Sequence, residues 1–191
     1  MKLDFLFKTL LASTSVLLLT IVHHVYGAII YETPSRFHIS WFAIPALLAT
    51  ILFYSLHVRN IFSPIISKLS LWLFILIVLL IPVGAFGLIE GGFNHLIKNI
   101  LYFGGASEEL LDQLYSAPIY EMPNDFWFES TGILQFFVGI SAGYYLLKYW
   151  TEECWTNQFF SWCKWTCRIM NMYMRRMLIQ SLCIESHFIT P

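Results

Sequence analysis

The chain has 191 residues, of which 58% are hydrophobic and 12% are charged, and its formal net charge is −1. A soluble domain carries about 25% charged residues, so this composition excludes an ordinary water-exposed globule, which would need more polar surface. A net charge near zero gives no general attraction for a polyanion, so nucleic acid is not expected as a partner.

Four apolar stretches predict transmembrane α-helices, at residues 9–30, 39–58, 69–89 and 130–150. Each stretch is close to the ~20 residues that cross ~30 Å of hydrocarbon at about 1.5 Å per residue. Helices are expected because lipid offers no hydrogen-bond partners to backbone N–H and C=O groups. The sequence therefore predicts an all-α polytopic helix bundle in a lipid bilayer, with a four-helix transmembrane domain over residues 1–150.

The first stretch has a second interpretation, because it resembles a secretory signal peptide. Lys2 and Lys8 precede the apolar run, as basic residues do in such peptides. Gly27 and Ala28 are small enough to form a cleavage site. The apolar segment nevertheless continues to Ile30, beyond that site, which favours an uncleaved helix.

The basic residues predict the orientation, since loops rich in Lys and Arg stay in the cytoplasm. One side of the predicted bundle carries nine of them: Lys2, Lys8, Arg59, Lys68, Lys148, Lys164, Arg168, Arg175 and Arg176. The opposite side carries only Arg36 and Lys98. Both termini are therefore expected in the cytoplasm, with the chain in the inner (plasma) membrane of a bacterium.

The longest predicted loop, residues 90–129, then lies on the outer side. Gly91 and Gly92 at its start are expected to break the third helix. The periodicity of residues 93–103 is typical of a short amphipathic helix that lies on the membrane surface. Ser107, which precedes several acidic residues, is a candidate N-cap for another short helix.

Residues 151–191 are interpreted as a cytoplasmic interfacial tail, because they mix Trp, Met, Cys and Arg without forming an apolar span. All the cysteines, Cys154, Cys163, Cys167 and Cys183, follow the fourth span. In the cytoplasm they are not expected to form disulfides. Cys163 and Cys167 are four residues apart, and a zinc site built on them would need further ligands from Cys154, Cys183 and His187.

Ionisable residues concentrate at the outer end of the predicted bundle. Four of the six histidines and five carboxylates are expected there: His23, His24, Glu32, His38, Glu90, His95, Glu121, Asp125 and Glu129. Imidazole and carboxylate ligands together suit Zn²⁺, Fe or Cu, and helical bundles build metal sites from inward-facing His and Glu. We therefore predict a transition-metal site with the candidate ligands His24, His38, Glu90, His95 and Glu129, supported by His23, Glu121 and Asp125.

Two features of the sequence weigh against this site. His23 and His24 are adjacent, so on a helix their side chains leave the axis about 100° apart and are expected to point in different directions. Glu90 and His95 are five residues apart across the two glycines, and neither Glu-x-x-His nor His-Glu-x-x-His occurs. Each residue alone has an ordinary structural explanation as a helix cap, a solvated loop residue or a hydrogen-bonded histidine. A haem is disfavoured, since its axial histidines would need equal depth on facing helices.

The sequence leaves three functions open and does not decide whether the chain is an enzyme. The first is a membrane protein that binds a transition metal for redox chemistry or metal handling. The second is a non-enzymatic accessory or scaffold subunit, or a homo-oligomer. Its contact surfaces would be the aromatic tail and the two glycines of the fourth span, Gly139 and Gly143, whose four-residue spacing permits close helix packing. The third, ranked lower, is a small transporter with intramembrane histidines, because the second and third spans carry few polar side chains for a continuous path.

Overall fold

The computed structural model describes residues 2–60, 62–116 and 121–156, and these residues form helices joined by short connections. In chain order the elements are α1 (Lys2–Ile30), a 3₁₀ turn (Pro34–Phe37), α2 (His38–Arg59), α3 (Pro64–Val78), a π-helical segment (Leu79–Ile97), α4 (Lys98–Phe103), α5 (Glu108–Leu114) and α6 (Phe126–Thr156). The described part of the chain contains no strand, so the predicted all-α class is confirmed.

Four helices in the described residues are long and apolar enough to cross a membrane: Leu3–Ile30, Pro34–Arg59, Pro64–Phe103 and Phe126–Glu152. Each contains one of the four predicted stretches. The third is 40 residues long, because α3, the π-helical segment and α4 follow one another without a break. We call Pro64–Phe103 the third helical run.

The core of the bundle lies between the helices at about mid-length. It consists of Val16 and Leu17 from α1, Ala43 and Ala46 from α2, and Phe86 from the π-helical segment, with Val138 of α6 packed against it. Two of these residues are alanines, which let α2 approach its neighbours closely. Large apolar side chains are instead abundant on the outside: Trp41 is 78% exposed, Ile65 77% and Phe126 74%.

The predicted helix break at Gly91 and Gly92 is absent, because these glycines serve helix contacts instead. A Cβ on Gly91 would overlap the backbone nitrogen of Phe136 and lie 2.9 Å from the carbonyl oxygen of Gly132, both in α6. A Cβ on Gly87 would lie 3.1 Å from the Cα of Gly139. Glycine in a helix costs about 1 kcal/mol of stability relative to alanine. The close packing that these glycines permit offsets this cost.

The predicted surface helix over residues 93–103 is likewise part of the third helical run and packs against α6. The candidate N-cap at Ser107 is observed: its hydroxyl accepts a hydrogen bond from the Leu110 amide (3.3 Å) and opens the short helix α5. Tyr115, which follows α5, is fully buried and donates a hydrogen bond to the Phe93 carbonyl (2.8 Å). This bond ties the connection back to the third helical run.

The π-helical segment determines which residues share a face of the third helical run. A π-helix is closed by hydrogen bonds from residue i to residue i+5, so residues five apart lie on successive turns. Most π-helices are single turns inside α-helices and occur at functional sites. This segment runs from Leu79 to Ile97 and contains Pro82, which has no N–H to donate. Glu90 and His95 are therefore neighbours on one face.

Residues 3–146 form one compact unit, and a second unit begins at Leu147. Of the second unit, the structure describes the end of α6, in which the Thr151 hydroxyl donates to the Lys148 carbonyl (3.0 Å). The predicted cytoplasmic tail comprises residues 151–191: residues 151–156 continue α6, and the remainder, with three of the four cysteines, lies outside the described residues.

Candidate metal centre

His23 and His24 lie near the end of α1 and are almost completely buried. His23 Nδ1 lies 2.9 Å from Thr131 Oγ1 in α6. The Thr131 hydroxyl already donates to the Trp127 carbonyl (2.8 Å), so it accepts the Nδ1–H of His23. This assigns the proton of a neutral His23 to Nδ1 and leaves the lone pair on Nε2. The ring stacks on Phe128, with centroids 4.1 Å apart.

Glu90 and His95 come from the π-helical segment. Glu90 Oε2 accepts a hydrogen bond from Asn94 Nδ2 (2.8 Å), four residues on. Glu90 Oε1 lies 3.6 Å from His95 Nε2, five residues on. The five-residue spacing, which does not match an α-helical metal motif, thus places both side chains together on the π-helical face.

Three imidazole nitrogens surround the free oxygen of Glu90. Its Oε1 lies 3.9 Å from His23 Nε2, 3.6 Å from His24 Nε2 and 3.6 Å from His95 Nε2. Two ligand atoms that are each about 2.1 Å from a tetrahedral ion are about 3.4 Å apart. The observed separations are therefore too long for good hydrogen bonds and close to those of atoms that share a metal ion.

Three of these side chains form the tightest group. Ligand atoms of His23, Glu90 and His95 all lie within 4.8 Å of one another. His24 approaches Glu90 but is not part of that group. The rings of His23 and His24 are perpendicular, with centroids 5.1 Å apart. Their side chains diverge at the helix, as expected for adjacent residues, yet both Nε2 atoms reach the same carboxylate oxygen.

The cluster contains buried polar atoms without partners. Among the described residues, seven buried side-chain nitrogen or oxygen atoms have no hydrogen bond, and four of them belong here: His23 Nε2, His24 Nδ1, His24 Nε2 and Asn94 Oδ1. Each buried, unsatisfied polar group costs about 1–3 kcal/mol. Native proteins rarely leave such atoms unpaired, so these atoms are available to bind an ion, a ligand or an ordered water molecule.

The other side of His95 is held by a buried ion pair. His95 Nδ1 lies 2.8 Å from Glu129 Oε2, which also accepts from Asn99 Nδ2 (2.5 Å). Glu129 Oε1 accepts from Lys98 Nζ (2.9 Å), and Lys98 also donates to the Glu121 carbonyl (2.7 Å). Metal-ligating histidines commonly donate their second N–H to a carboxylate in this way. Both Glu129 oxygens are occupied, so Glu129 supports a ligand and is not itself placed as one.

Permanent cations balance two of the nearby carboxylates but not Glu90. Glu129 pairs with Lys98, and Glu121 Oε1 lies 3.7 Å from Arg36 Nη2. Within the described part of the chain, the only ionic partners within 4.0 Å of Glu90 are histidines. A partly buried carboxylate surrounded by imidazoles attracts a cation, which here is either a metal ion or a proton on one ring.

Two glycines make room for the rings. A Cβ on Gly132 would lie 2.6 Å from His95 Nδ1, and a Cβ on Gly27 would lie 2.5 Å from Cε2 of Phe128, the ring under His23. Any side chain larger than hydrogen at position 132 would push His95 away from Glu129. The backbone of α6 is therefore part of what positions the imidazole.

A cavity of about 420 Å³ adjoins the cluster. Its lining includes His24, Glu90 and His95 together with Arg36, His38 and Glu121. His38 is exposed at the start of α2, and its Nδ1 contacts the Ser35 carbonyl. The predicted ligand His38 thus lies at the cavity wall and not beside Glu90 in the group of three.

Asp125, predicted to support the site, caps α6 instead. Its Oδ1 accepts from the Phe128 amide (2.7 Å), and its Oδ2 accepts from the Tyr26 hydroxyl (3.2 Å). Next to it, the Tyr31 hydroxyl donates to Asn124 Oδ1 (2.5 Å). Burial, reinforced by the Glu129 carboxylate, raises the pKa of Tyr31 to about 12, so the phenol keeps the proton it donates. These contacts tie α1 to the start of α6 beside the cluster.

Lys98, Asn99 and Thr131 also belong to the site, although the sequence did not predict them as parts of it. A signal for the first two was present, since His95, Lys98 and Asn99 fall on one polar helical face. That face turns to Glu129 of α6 and not to water. Comparison of the chain with known protein families, with curated proteins and with solved structures gave no match, so these contacts alone indicate a function.

Proposed function

We propose that the chain is an integral membrane protein with four transmembrane helices and a metal centre at one end of the bundle. The helices have the required length and hydropathy, and large apolar side chains such as Trp41 and Ile65 point outward. A water-soluble bundle of this size would not leave so much apolar surface uncovered. The basic residues support cytoplasmic termini, with the His and Glu cluster at the outer face.

The function that the geometry supports best is binding of a transition metal ion by His23, Glu90 and His95. The single observation that carries this proposal is that three Nε2 atoms, those of these two histidines and of His24, surround Glu90 Oε1 at 3.6–3.9 Å. His24, which borders the cavity, is the candidate for a fourth ligand. Two imidazoles and one carboxylate suit Zn²⁺, Fe or Cu, and they leave coordination positions free.

A proton on one imidazole is the competing occupant, because it would also balance Glu90. It would satisfy only one ring, however, and would leave at least one of the Nε2 atoms of His23 and His24 buried and unpaired. A metal ion accepts lone pairs from several rings at once. The number of unpaired nitrogens therefore favours the metal.

The test is the metal content of the full chain purified in mild detergent. We expect about one transition-metal ion per chain, measured by elemental mass spectrometry, and uptake of Zn²⁺ or Co²⁺ after chelation. Glu90→Gln and His95→Ala should lose the ion. His57→Gln is the matched control, because His57 bonds to Ser67 and lies away from the cluster. A well-folded protein that binds none of Zn²⁺, Co²⁺ or Cu²⁺ would reject the proposal.

The orientation is tested separately with reporters fused to the C-terminus. A reporter active only in the cytoplasm should be active in this position, and one active only outside should be silent. The opposite result would show that the cluster lies at the cytoplasmic face, and it would leave the metal proposal unchanged.

A further inference from the structure

The cavity borders the proposed metal position. His24, Glu90 and His95 line it, whereas His23, which stacks on Phe128 and bonds to Thr131, is not among the lining residues. Catalytic metal sites keep three protein ligands and a free position for water or substrate. The volume of about 420 Å³ lies at the low end of the range for small-molecule sites, about 300–1,000 Å³.

The net charge of the groups around the cavity limits which ligands the cavity can bind. With a divalent ion in place, the ion, Arg36 and Lys98 supply four positive charges, against three carboxylates at Glu90, Glu121 and Glu129. One positive charge is left over in a largely buried place, where an unbalanced charge is unfavourable. A single negative charge on a bound molecule would balance it.

Arg36 supplies donors for such a molecule. Its Nε donates to Thr33 Oγ1 (2.8 Å), and its guanidinium carbon lies 5.2 Å from the ring centroids of both Tyr31 and Phe128. These contacts fix the guanidinium plane. Among the described residues no acceptor lies within hydrogen-bond distance of its Nη atoms, since Glu121 is 3.7 Å away. A planar guanidinium matches a carboxylate geometrically, and the ion pair of Arg36 with Glu121 is long enough to leave room for a second carboxylate at the Nη atoms.

We infer that the cavity binds a small monocarboxylate, with one oxygen at the metal ion and the carboxylate held by Arg36. This inference rests on the proposed metal site and names the ligand class that it takes. Thr33 and Ser35 also line the cavity and add hydroxyl groups for the polar part of the ligand. The Phe128 ring offers an apolar wall for its carbon chain.

The experiment uses the full chain loaded with Co²⁺, whose visible absorption reports the coordination of the ion. Titration with acetate should change the spectrum saturably. Arg36→Gln should weaken the acetate effect at least tenfold while the Co²⁺ content stays the same, and Arg36→Lys should restore it only in part. Arg59→Gln, at the opposite end of the bundle, is the matched control and should behave like the unmodified protein.

The outcomes separate this inference from the metal proposal. If Co²⁺ binds and acetate leaves the spectrum unchanged, or if Arg36→Gln responds like the unmodified chain, the carboxylate site is refuted and the metal site stands. A response to phosphate but not acetate would also refute it, because the ligand would then be a different anion. If Co²⁺ does not bind at all, the metal proposal fails and the carboxylate site fails with it.

Discussion

At the scale of single residues, Glu129 shows how a buried carboxylate can act through a neighbour. It accepts from His95, Lys98 and Asn99 at once, so its charge is satisfied without a metal ion. Its effect on an ion would be indirect: it fixes the His95 ring with Nε2 towards Glu90. Removing its charge would leave Lys98, which is 2% exposed, without a counter-ion.

We therefore expect Glu129→Gln to weaken metal binding about 10–100-fold, as is typical when a group that orients a ligand is changed. The affinity is measured by competition with a chromophoric chelator. Asp125→Asn is the control, because the Asp125 carboxylate bonds to the start of α6 and to Tyr26. Equal affinities for Glu129→Gln and the unmodified chain would show that His95 does not depend on this carboxylate.

At the scale of the elements, the third helical run differs most from its sequence-based prediction. Gly91 and Gly92 predict a break when each helix is considered alone, since glycine disfavours a helix. In the bundle the same residues face α6, and the favourable close contact outweighs that cost. Gly139 and Gly143 also pack against the third helical run, Gly139 against Gly87 and Gly143 near Val83.

Helix packing at these glycines predicts a contrast between two alanine variants. Gly91→Ala places a methyl group against the backbone of α6 and should lower the midpoint of thermal unfolding in detergent by several degrees. Gly143→Ala meets only Val83 Cγ1 at 3.5 Å, an ordinary contact, and should leave the midpoint unchanged or raise it slightly. Tryptophan fluorescence follows both transitions. The packing explanation fails if the two variants are equally stable.

The π-helical segment predicts the outcome of a position exchange. In a regular α-helix, histidine four residues after Glu90 would face it better than histidine five residues after it. The double variant Asn94→His with His95→Asn should therefore keep metal binding if the segment were α-helical. We expect it to lose the ion, measured by the metal content after purification, because the five-residue spacing places His95 where its Nδ1 also contacts Glu129, whereas position 94 contacts Glu90 Oε2.

At the scale of the whole molecule, much of the arrangement follows from the order of the apolar stretches. Four spans that alternate in direction bring the end of α1, the start of α2 and the start of α6 to the same end as Glu90, so the clustering of His and Glu could be predicted. The sequence does not fix the rotation of each helix about its axis. That rotation decides that His23 and not His38 belongs to the group of three, and that Glu129 contacts His95.

Metal binding to the folded bundle should also stabilise the whole molecule. A ligand at 100 times its dissociation constant adds about 2.7 kcal/mol to the free energy of unfolding if it binds only the folded state. Chelation should therefore lower the thermal midpoint of the unmodified chain, and added Zn²⁺ should restore it. Glu90→Gln should show no response to either treatment, and a response of equal size would place the bound ion elsewhere.

Part of the cavity wall comes from elements that carry none of the three proposed ligands. His23, Glu90 and His95 lie on α1 and the third helical run, and α6 supports them, while Arg36, His38 and Ile39 belong to the 3₁₀ turn and the start of α2. A substitution in the turn or at the start of α2 therefore changes the shape and charge of the cavity without removing any of the three proposed ligands.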